Sequence, residues 1–407
     1  SIDQAHNLVY VLGKGRKCSK IFNQKRKNMH KKSLISLTIL VGVLVLLVIL
    51  WTSLKKPSPE VIEKKEEIKN ITMVTGVGGL GDQSFNDAGW KGVQMASKGL
   101  GLEANVIQTR KGEDLVANVS RAAESADIVV GLGFMIKDAI IENASLYPKT
   151  YFILIDEDAG DLPNVASYQF YTGESGYLAG IIAASVTKTG KVGIVKGMDI
   201  PPVLTYAAGF ETGVKTWNEK MGKDVKVLTK TADSFSDAAK GKDLTGELLA
   251  QGADIVFDVA GGTGMGVYEA IQEANLTAGI TKEQITTGSK MPKYFAVGVD
   301  VDHDEMFPGE VLVSALKKMP ETIYKATEDI VRGNFRGGVH LVDFKEGATG
   351  ISEMKYTKQY IPQGALELIE KAKELMAKRD ERLVVPLDIM DVDEYVESFK
   401  VPEELLK

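Results

Sequence analysis

Short, unbroken apolar runs separated by amphipathic helical stretches recur along most of this chain, and they restrict its fold more than any single motif does. Ile71-Thr-Met-Val74, Ile128–Leu132 and Tyr151–Ile155 are almost free of polar residues, as strands are in a sheet covered on both faces. Between them, Phe85–Leu100 carries Trp90, Val93 and Ala96 at helical spacing. Ala104–Gln108 reads as a strand, and Asp114–Ser125 as a helix with Leu115, Val116, Val119 and Ala122 inward. Strands alternating with helices predict βαβ units and a parallel sheet. The pattern then repeats. Ala126-Asp-Ile-Val-Val130 runs into Gly131-Leu-Gly133, and Ala253-Asp-Ile-Val-Phe257 runs into Gly261-Gly-Thr-Gly264. Lys149-Thr-Tyr-Phe-Ile-Leu-Ile-Asp156 is echoed by Lys293-Tyr-Phe-Ala-Val-Gly-Val-Asp-Val-Asp302, and Lys191-Val-Gly-Ile-Val195 restarts the series. Two similar α/β lobes are expected.

A chain of 407 residues has core material for both. Its net charge of −6 leaves no nucleic-acid footprint. The single cysteine, Cys18, excludes an intrachain disulfide or a cysteine metal site, and the four histidines, His6, His30, His303 and His340, form no H-E-x-x-H pairing, so no metal is expected. Ser33–Leu54 is uncharged and rich in Leu, Val and Ile, long enough to cross a bilayer core of roughly 30 Å. Lys25, Arg26, Lys27, Lys31 and Lys32 precede it, which predicts an N-terminus in the cytoplasm and the rest of the chain outside. Cleavage as a signal peptide is the alternative, although no A-x-A-like site follows. Residues 1–32 read as a cytoplasmic tail or an upstream extension ahead of Met29, 33–54 as the anchor or signal, and 55–70 as a charged linker with two prolines.

The loop after the first strand, Thr75–Asp87, contains Gly76, Gly78 and Gly81 in the G-x-G-x-x-G spacing of dinucleotide sites. However, Asp82-Gln-Ser-Phe-Asn-Asp87 follows, and a pyrophosphate there would face carboxylates. The second strand ends at Thr109-Arg110, with no acid for a ribose hydroxyl. Asp156 and Asp300 end strands of the two lobes. Ligands of open α/β sheets bind beyond such ends, so Asp82, Asp156 and Asp300 are expected to converge on one crevice. Carboxylates there repel phosphate and favour hydroxyls and amines. Phe85 and Phe257, offered from opposite lobes, could clamp a flat ring at roughly 1–3 kcal/mol per stacked base. The plainer readings are core packing for each Phe and helix capping for each Asp.

Asp82-Gln-Ser-Phe-Asn86, Gly131-Leu-Gly-Phe134, Phe152-Ile-Leu-Ile-Asp-Glu157, Glu174-Ser-Gly-Tyr-Leu-Ala-Gly180, Gly261-Gly-Thr-Gly-Met-Gly266 and Gly298-Val-Asp-Val-Asp302 resemble the basic membrane protein family, the nucleoside-binding receptors of ABC transporters. The resemblance runs from about Ile71 to about Pro386. It implies a type I periplasmic-binding fold, with two Rossmann-like lobes of parallel sheet joined by a hinge of three crossings. Lobe 1 would take 71–171 and 314–336, and lobe 2 would take 173–312 and 338–407, with crossings near 168–172, 303–313 and 336–339. Carried onto this chain, Phe85 and Phe257 would stack the base, and Asp82, Ser84, Asn86 and Asp156 would bind its polar edge. Asp300 would hold ribose hydroxyls, Lys317 would neutralise that acid or touch ribose, and Gly262 and Thr263 would give backbone contacts. The function implied is a monomeric, membrane-anchored, extracytoplasmic solute-binding protein that delivers a nucleoside, a purine nucleoside in the family's pattern, to ABC permease subunits. It would use no cofactor and catalyse no reaction. The alternative is an NAD(P)-dependent oxidoreductase using the Gly76–Gly81 loop, with His303 or Tyr171 moving the proton. The chain departs from the pattern in lacking a cysteine after the apolar run, in His303, in an enlarged 275–292 loop, and in an acidic tail over 387–407.

Overall fold

The apolar runs become two six-stranded sheets within Glu67–Lys407, the residues that the computed structural model describes. The expected anchor at 33–54, the segment 1–32 and residues 55–66 of the linker lie outside the described residues. Among the described residues, no helix is long and apolar enough to cross a membrane.

The first sheet holds β1 (Asn70–Val74), β2 (Glu103–Ile107), β3 (Ile128–Leu132), β4 (Tyr151–Ile155), β5 (Val165–Phe170) and β11 (Gly338–Val342), in the order β11-β5-β4-β3-β1-β2 and parallel throughout. The second holds β6 (Lys191–Lys196), β7 (Lys226–Thr231), β8 (Ile255–Val259), β9 (Phe295–Asp300), β10 (Val311–Lys317) and β12 (Thr349–Ile351), in the order β12-β10-β9-β8-β6-β7. Its one antiparallel member is β12, at the edge. The two orders are the same, strand for strand. The echoed segments occupy equivalent places: β3 matches β8, and β4 matches β9.

Helices cover both faces, and each lobe has its own apolar clusters, so β3 and β8 are buried along their whole length. In chain order the helices are α1 (Phe85–Leu100), α2 (Leu115–Ser125), α3 (Lys137–Leu146), α4 (Gly173–Val186), α5 (Pro201–Met221), α6 (Ala238–Ala250), α7 (Met265–Thr277), α8 (Lys282–Thr286), α9 (Met319–Arg332), α10 (Gln363–Ala377), α11 (Val392–Ser398) and α12 (Glu403–Leu406). The α4–α5 pair is packed backbone to backbone through glycines. A Cβ on Gly180 would lie 2.0 Å from the Phe210 carbonyl oxygen, and one on Gly213 would lie 2.1 Å from that of Tyr177. The same contact reaches the N-terminal half of α5, where a Cβ on Gly176 would lie 2.4 Å from the Tyr206 carbonyl oxygen.

Strand pairing puts the second and third crossings later than the sequence suggests. β10 pairs with β9 in the second sheet, so 314–317 stay with lobe 2. β11 pairs with β5 in the first sheet, so 338–342 remain with lobe 1. The chain passes between lobes at 171–172, at Lys318 and over 343–348. An apolar strand run reads alike whichever sheet receives it, and edge strands carry no mark of their lobe. The tail over 387–407 is packed, not a loose appendage. Lys215 of α5 donates to the carbonyls of Val396 at 2.8 Å and Phe399 at 2.7 Å, while Phe399 and Leu405 are buried. The expected 275–292 loop contains α8, opened by a Thr281–Gln284 capping box.

Candidate functional site

A cavity of about 270 Å³ lies between the lobes, beyond the carboxyl ends of both sheets. Lobe 1 lines it from the loop after β1 (Gly76, Asp82, Phe85, Asn86), the turn after β3 (Gly133, Phe134, Met135) and the tip of β4 (Asp156). Lobe 2 lines it from the loop after β6 and the start of α5 (Met198, Ile200, Tyr206), the loop after β7 (Phe235), the turn after β8 (Ala260, Gly261) and the tip of β9 (Asp300). Lys317, the last residue of β10, completes the floor.

The floor is an ionic cluster. Lys317 Nζ lies 2.5 Å from Asp156 Oδ2 and 3.7 Å from Asp300 Oδ1, with all three side chains under a tenth exposed. The Tyr206 hydroxyl donates to Asp300 Oδ1 at 3.1 Å, and Ser84 Oγ donates to Asp300 Oδ2 at 3.4 Å. Burial by itself would lower the Lys317 pKa. The attraction of Asp156 and Asp300 outweighs it, and the ammonium titrates above its usual range. Lys317 Nζ also lies 4.9 Å from the centre of the Phe85 ring, within cation–π range. Asp156 and Asp300 both sit at positive φ, 71° and 64°. L-residues other than glycine rarely adopt this conformation, at a cost of about 1 kcal/mol or more. The same strained turn at equivalent strand tips aims one carboxylate from each lobe at the same lysine.

Asp82 is engaged by its own helix. Its Oδ1 accepts the amides of Ser84 (3.0 Å) and Asp87 (3.1 Å), and its Oδ2 accepts the Asn86 amide (2.7 Å) and Asn86 Nδ2 (3.0 Å). Burial pushes this carboxyl up against the pull of those amides. Asp87 in turn takes the amides of Gly81 and Gln83 at 2.9 Å each. The amides of Gly81, Gln83, Ser84, Asn86 and Asp87, which lead into α1 where a pyrophosphate would seek N–H groups, are therefore spent on carboxylates. Asn86 Oδ1 is buried without a partner, leaving an acceptor at the cavity wall.

Asp82, Phe85, Asn86, Asp156, Asp300 and Lys317 come together at the cavity as the sequence suggests, with Ser84 reaching it through Asp300. Phe257 does not. It is 0% exposed, stacked 5.0 Å from Phe210 and edge-on to Tyr206, inside the second lobe. Alternate strand residues face opposite ways, and β8 turns Phe257 onto α5. Gly262 lies at the seam between lobes, where a Cβ would come within 3.5 Å of Asp82 Cβ, and it is Gly261 that faces the cavity. Thr263 is buried. Its hydroxyl donates to the Ser234 carbonyl and accepts the Asp237 amide, bracing the loop after β7. His303 turns inward, its Nδ1 3.0 Å from the Val301 oxygen and its ring stacked on Tyr268.

Lobe 2 presents two aromatic residues instead, Tyr206 and Phe235, the latter seated where Gly197 has no Cβ to obstruct its ring. Sequence reasoning missed both. The available signal was a resemblance between loops: Asp82-Gln-Ser-Phe-Asn-Asp87 after β1 and Asp233-Ser-Phe-Ser-Asp237 after β7 each set one phenyl ring among small polar residues.

The model of the Bmp family, described as ABC transporter substrate-binding protein PnrA-like, matches residues 69–378. The chain is 31% identical over 288 residues to the ABC transporter nucleoside-binding protein BmpA of Lactococcus lactis, covering 67% of this chain and 78% of that one. It is 29% identical to an uncharacterized lipoprotein of Pyrococcus horikoshii, covering 83% of both chains. Its fold is similar to the crystal structure of an ABC transporter solute-binding protein from Aeropyrum pernix, with a TM-score of 0.73, 27% identity, and coverage of 83% of this chain and 98% of that one.

Proposed function

The chain belongs to the Bmp family of PnrA-like ABC transporter substrate-binding proteins, and from that premise we propose that it captures a nucleoside, purine nucleosides foremost, between its lobes for an ABC permease. The observation that carries this reading is the pair of phenyl rings, Phe85 and Phe235, offered to one cavity by opposite lobes above a floor with an excess of carboxylates. A planar base takes the space between the rings. Asn86 Oδ1, the buried acceptor, meets a donor on the base edge, and Asp300 with Lys317 meets the ribose hydroxyls.

Two carboxylates share one ammonium, with Asp82 a third acid at the same cavity, so acids outnumber bases there, while burial holds the Asp156 carboxyl above its usual range against the pull of Lys317. A phosphate brought within about 4 Å of one unbalanced carboxylate costs about 4 kcal/mol at an effective dielectric constant near 20. A nucleoside is therefore favoured over its nucleotide. The relative in Lactococcus lactis is named for nucleoside binding, and several relatives are named lipoproteins. Those names agree with an extracytoplasmic protein held at the membrane, without turnover of its ligand.

Isothermal titration of the full chain with adenosine, guanosine, inosine, cytidine, adenosine monophosphate, ribose and NADH tests the reading. Purine nucleosides should bind tightly, with the monophosphate at least about a hundredfold weaker, a difference of about 2.7 kcal/mol. Tight binding of NADH or of the monophosphate, with none for the nucleosides, refutes it.

A further inference from the structure

The stretch Glu174-Ser-Gly-Tyr-Leu-Ala-Gly180 lines no part of the cavity, yet it ties the three crossings together. Glu174 opens α4 directly after the first crossing and is 4% exposed. Its Oε2 accepts the Phe344 amide at 2.7 Å and the Thr349 hydroxyl at 2.6 Å, at the two ends of the third crossing. Ser175 Oγ donates to the Leu316 carbonyl at 2.8 Å, beside the second crossing, and accepts the Gly350 amide at 2.9 Å. Two consecutive side chains thus link all three connections between the lobes.

We propose that Glu174 is the positioning residue of lobe closure, whose paired hydrogen bonds fix the twist of the crossings and hold Phe85 and Phe235 in register over the ligand. The proposal rests on the reading of this chain as a nucleoside-capturing protein. Glu174 touches no ligand, and it acts through the crossings and through α4, which carries α5 and its Tyr206 on the glycine contact described above.

The surroundings give this residue a signature. The charged groups facing it are Asp343 in the third crossing and Arg379 after α10, with the Tyr171 phenol nearby. Arg379 is committed elsewhere, its Nε 2.6 Å from Asp343 Oδ2 and its Nη2 3.1 Å from Glu346 Oε1. Burial lifts the Glu174 carboxyl to about 7, against the pull of Thr349 and Phe344. When the crossings twist and admit water, the carboxyl returns toward its ordinary, lower range and releases its proton. Opening is then favoured as pH rises through neutrality, and closure binds the proton. Glu174→Gln keeps an oxygen acceptor and removes the titration, whereas Glu174→Ala removes both bonds.

The test uses the full chain carrying Cys18→Ser, with spin labels at Ala117→Cys on α2 and Ala239→Cys on α6, both exposed. Inter-lobe distances are measured alongside adenosine, guanosine and inosine titrations at pH 6 and pH 8. The wild-type affinity should weaken several-fold from pH 6 to pH 8, and Glu174→Gln should bind nearly as well without that slope. Glu174→Ala should bind at least about tenfold more weakly, chiefly through faster dissociation, with a broadened inter-lobe distance. Wild-type affinity and distances in Glu174→Ala, or an unchanged pH slope in Glu174→Gln, overturn the proposal. If Glu174→Ala does not fold, Thr349→Val decides, since an unchanged distance distribution there refutes the clamp. If no nucleoside binds the wild type, the functional reading falls, and the distances alone still judge the hinge role.

Discussion

Lobe 1 and lobe 2 share one strand order, and their differences lie in what fills equivalent places. Lobe 1 brings Asp82, Asn86 and Asp156, with Phe85 among them and Leu132, Phe134 and Met135 beside them. Lobe 2 brings Met198, Ile200, Val203, Tyr206 and Phe235, with Asp300 as its carboxylate and Lys317 as its ammonium. Register sharpens the contrast. Gly131 pairs with Val74 in the first sheet, and its counterpart Asp258 pairs with Val195 in the second. The acids lifted by burial to about 7, namely Glu174, Asp258 and Glu211, all belong to lobe 2 or its hinge edge. One framework therefore supports a half whose Asp82 holds the start of a helix and a half that supplies the lysine, while burial raises acids in both. Fold symmetry does not carry residue roles across: the ring of lobe 2 comes from the loop after β7, and that of lobe 1 from the loop after β1.

The strongest test of this asymmetry is Gly180→Val in lobe 2. Its Cβ would lie 2.0 Å from a backbone oxygen of α5, whereas at Gly92 of lobe 1 the nearest atom to a Cβ is Pro320 Cα at 2.9 Å. Gly180→Val should leave the second lobe unable to pack, seen as loss of the cooperative thermal transition, while Gly92→Ala should only lower the midpoint. Equal effects would mean that the α4–α5 contact is not the stricter one.

The two phenylalanines of lobe 2 should separate cleanly. Phe257→Ala empties a fully buried site and should cost about 3–5 kcal/mol in denaturant unfolding, with nucleoside affinity retained by the folded fraction. Phe235→Ala should lose about 1–3 kcal/mol of nucleoside binding with little change in stability, matching Phe85→Ala in lobe 1. The reverse pattern would return Phe257 to the site.

Asp258 offers a pH test. Its folded pKa of about 7 lies above the unfolded value near 3.9, so between those limits the native state binds more protons than the unfolded one. Stability is full at low pH, falls as pH rises through this window, and levels off above it. Asp258→Asn, which keeps an acceptor for the Ala260 amide at 2.9 Å, should flatten part of that slope in melts from pH 5 to pH 8. A slope identical to wild type would show that the carboxyl does not titrate there.

The smallest effect expected is that of Asp82→Ala. If this carboxylate serves mainly as the cap of α1, the substitution costs about 1 kcal/mol of stability and weakens binding only modestly. Loss of binding equal to that of Phe85→Ala would make Asp82 a ligand contact in its own right.

Much of this was legible beforehand. Helix Phe85–Leu100 and strands Ile128–Leu132 and Tyr151–Ile155 fall where hydrophobic periodicity puts them, because a strand buried on both faces leaves an apolar run that few other structures need. The echo of Asp156 in Asp300 predicts convergent strand tips, because parallel strands in matching lobes end on the same side of a cleft. What local pattern does not encode is the partner across a long sequence separation. The run Val311–Lys317 suits either sheet equally, and only its pairing with β9 places Lys317 between Asp156 and Asp300. Phe257 and Phe235 are both phenylalanines near strand ends. One is held inside by strand alternation against α5, and the other is presented to the cleft by a loop that Thr263 braces from 26 residues away. The chain's own order of apolar and polar residues determines its elements and the acids at their tips. Only three-dimensional packing, where contacts between distant residues compete for the same space, decided which rings face the ligand and which carboxylates share a lysine.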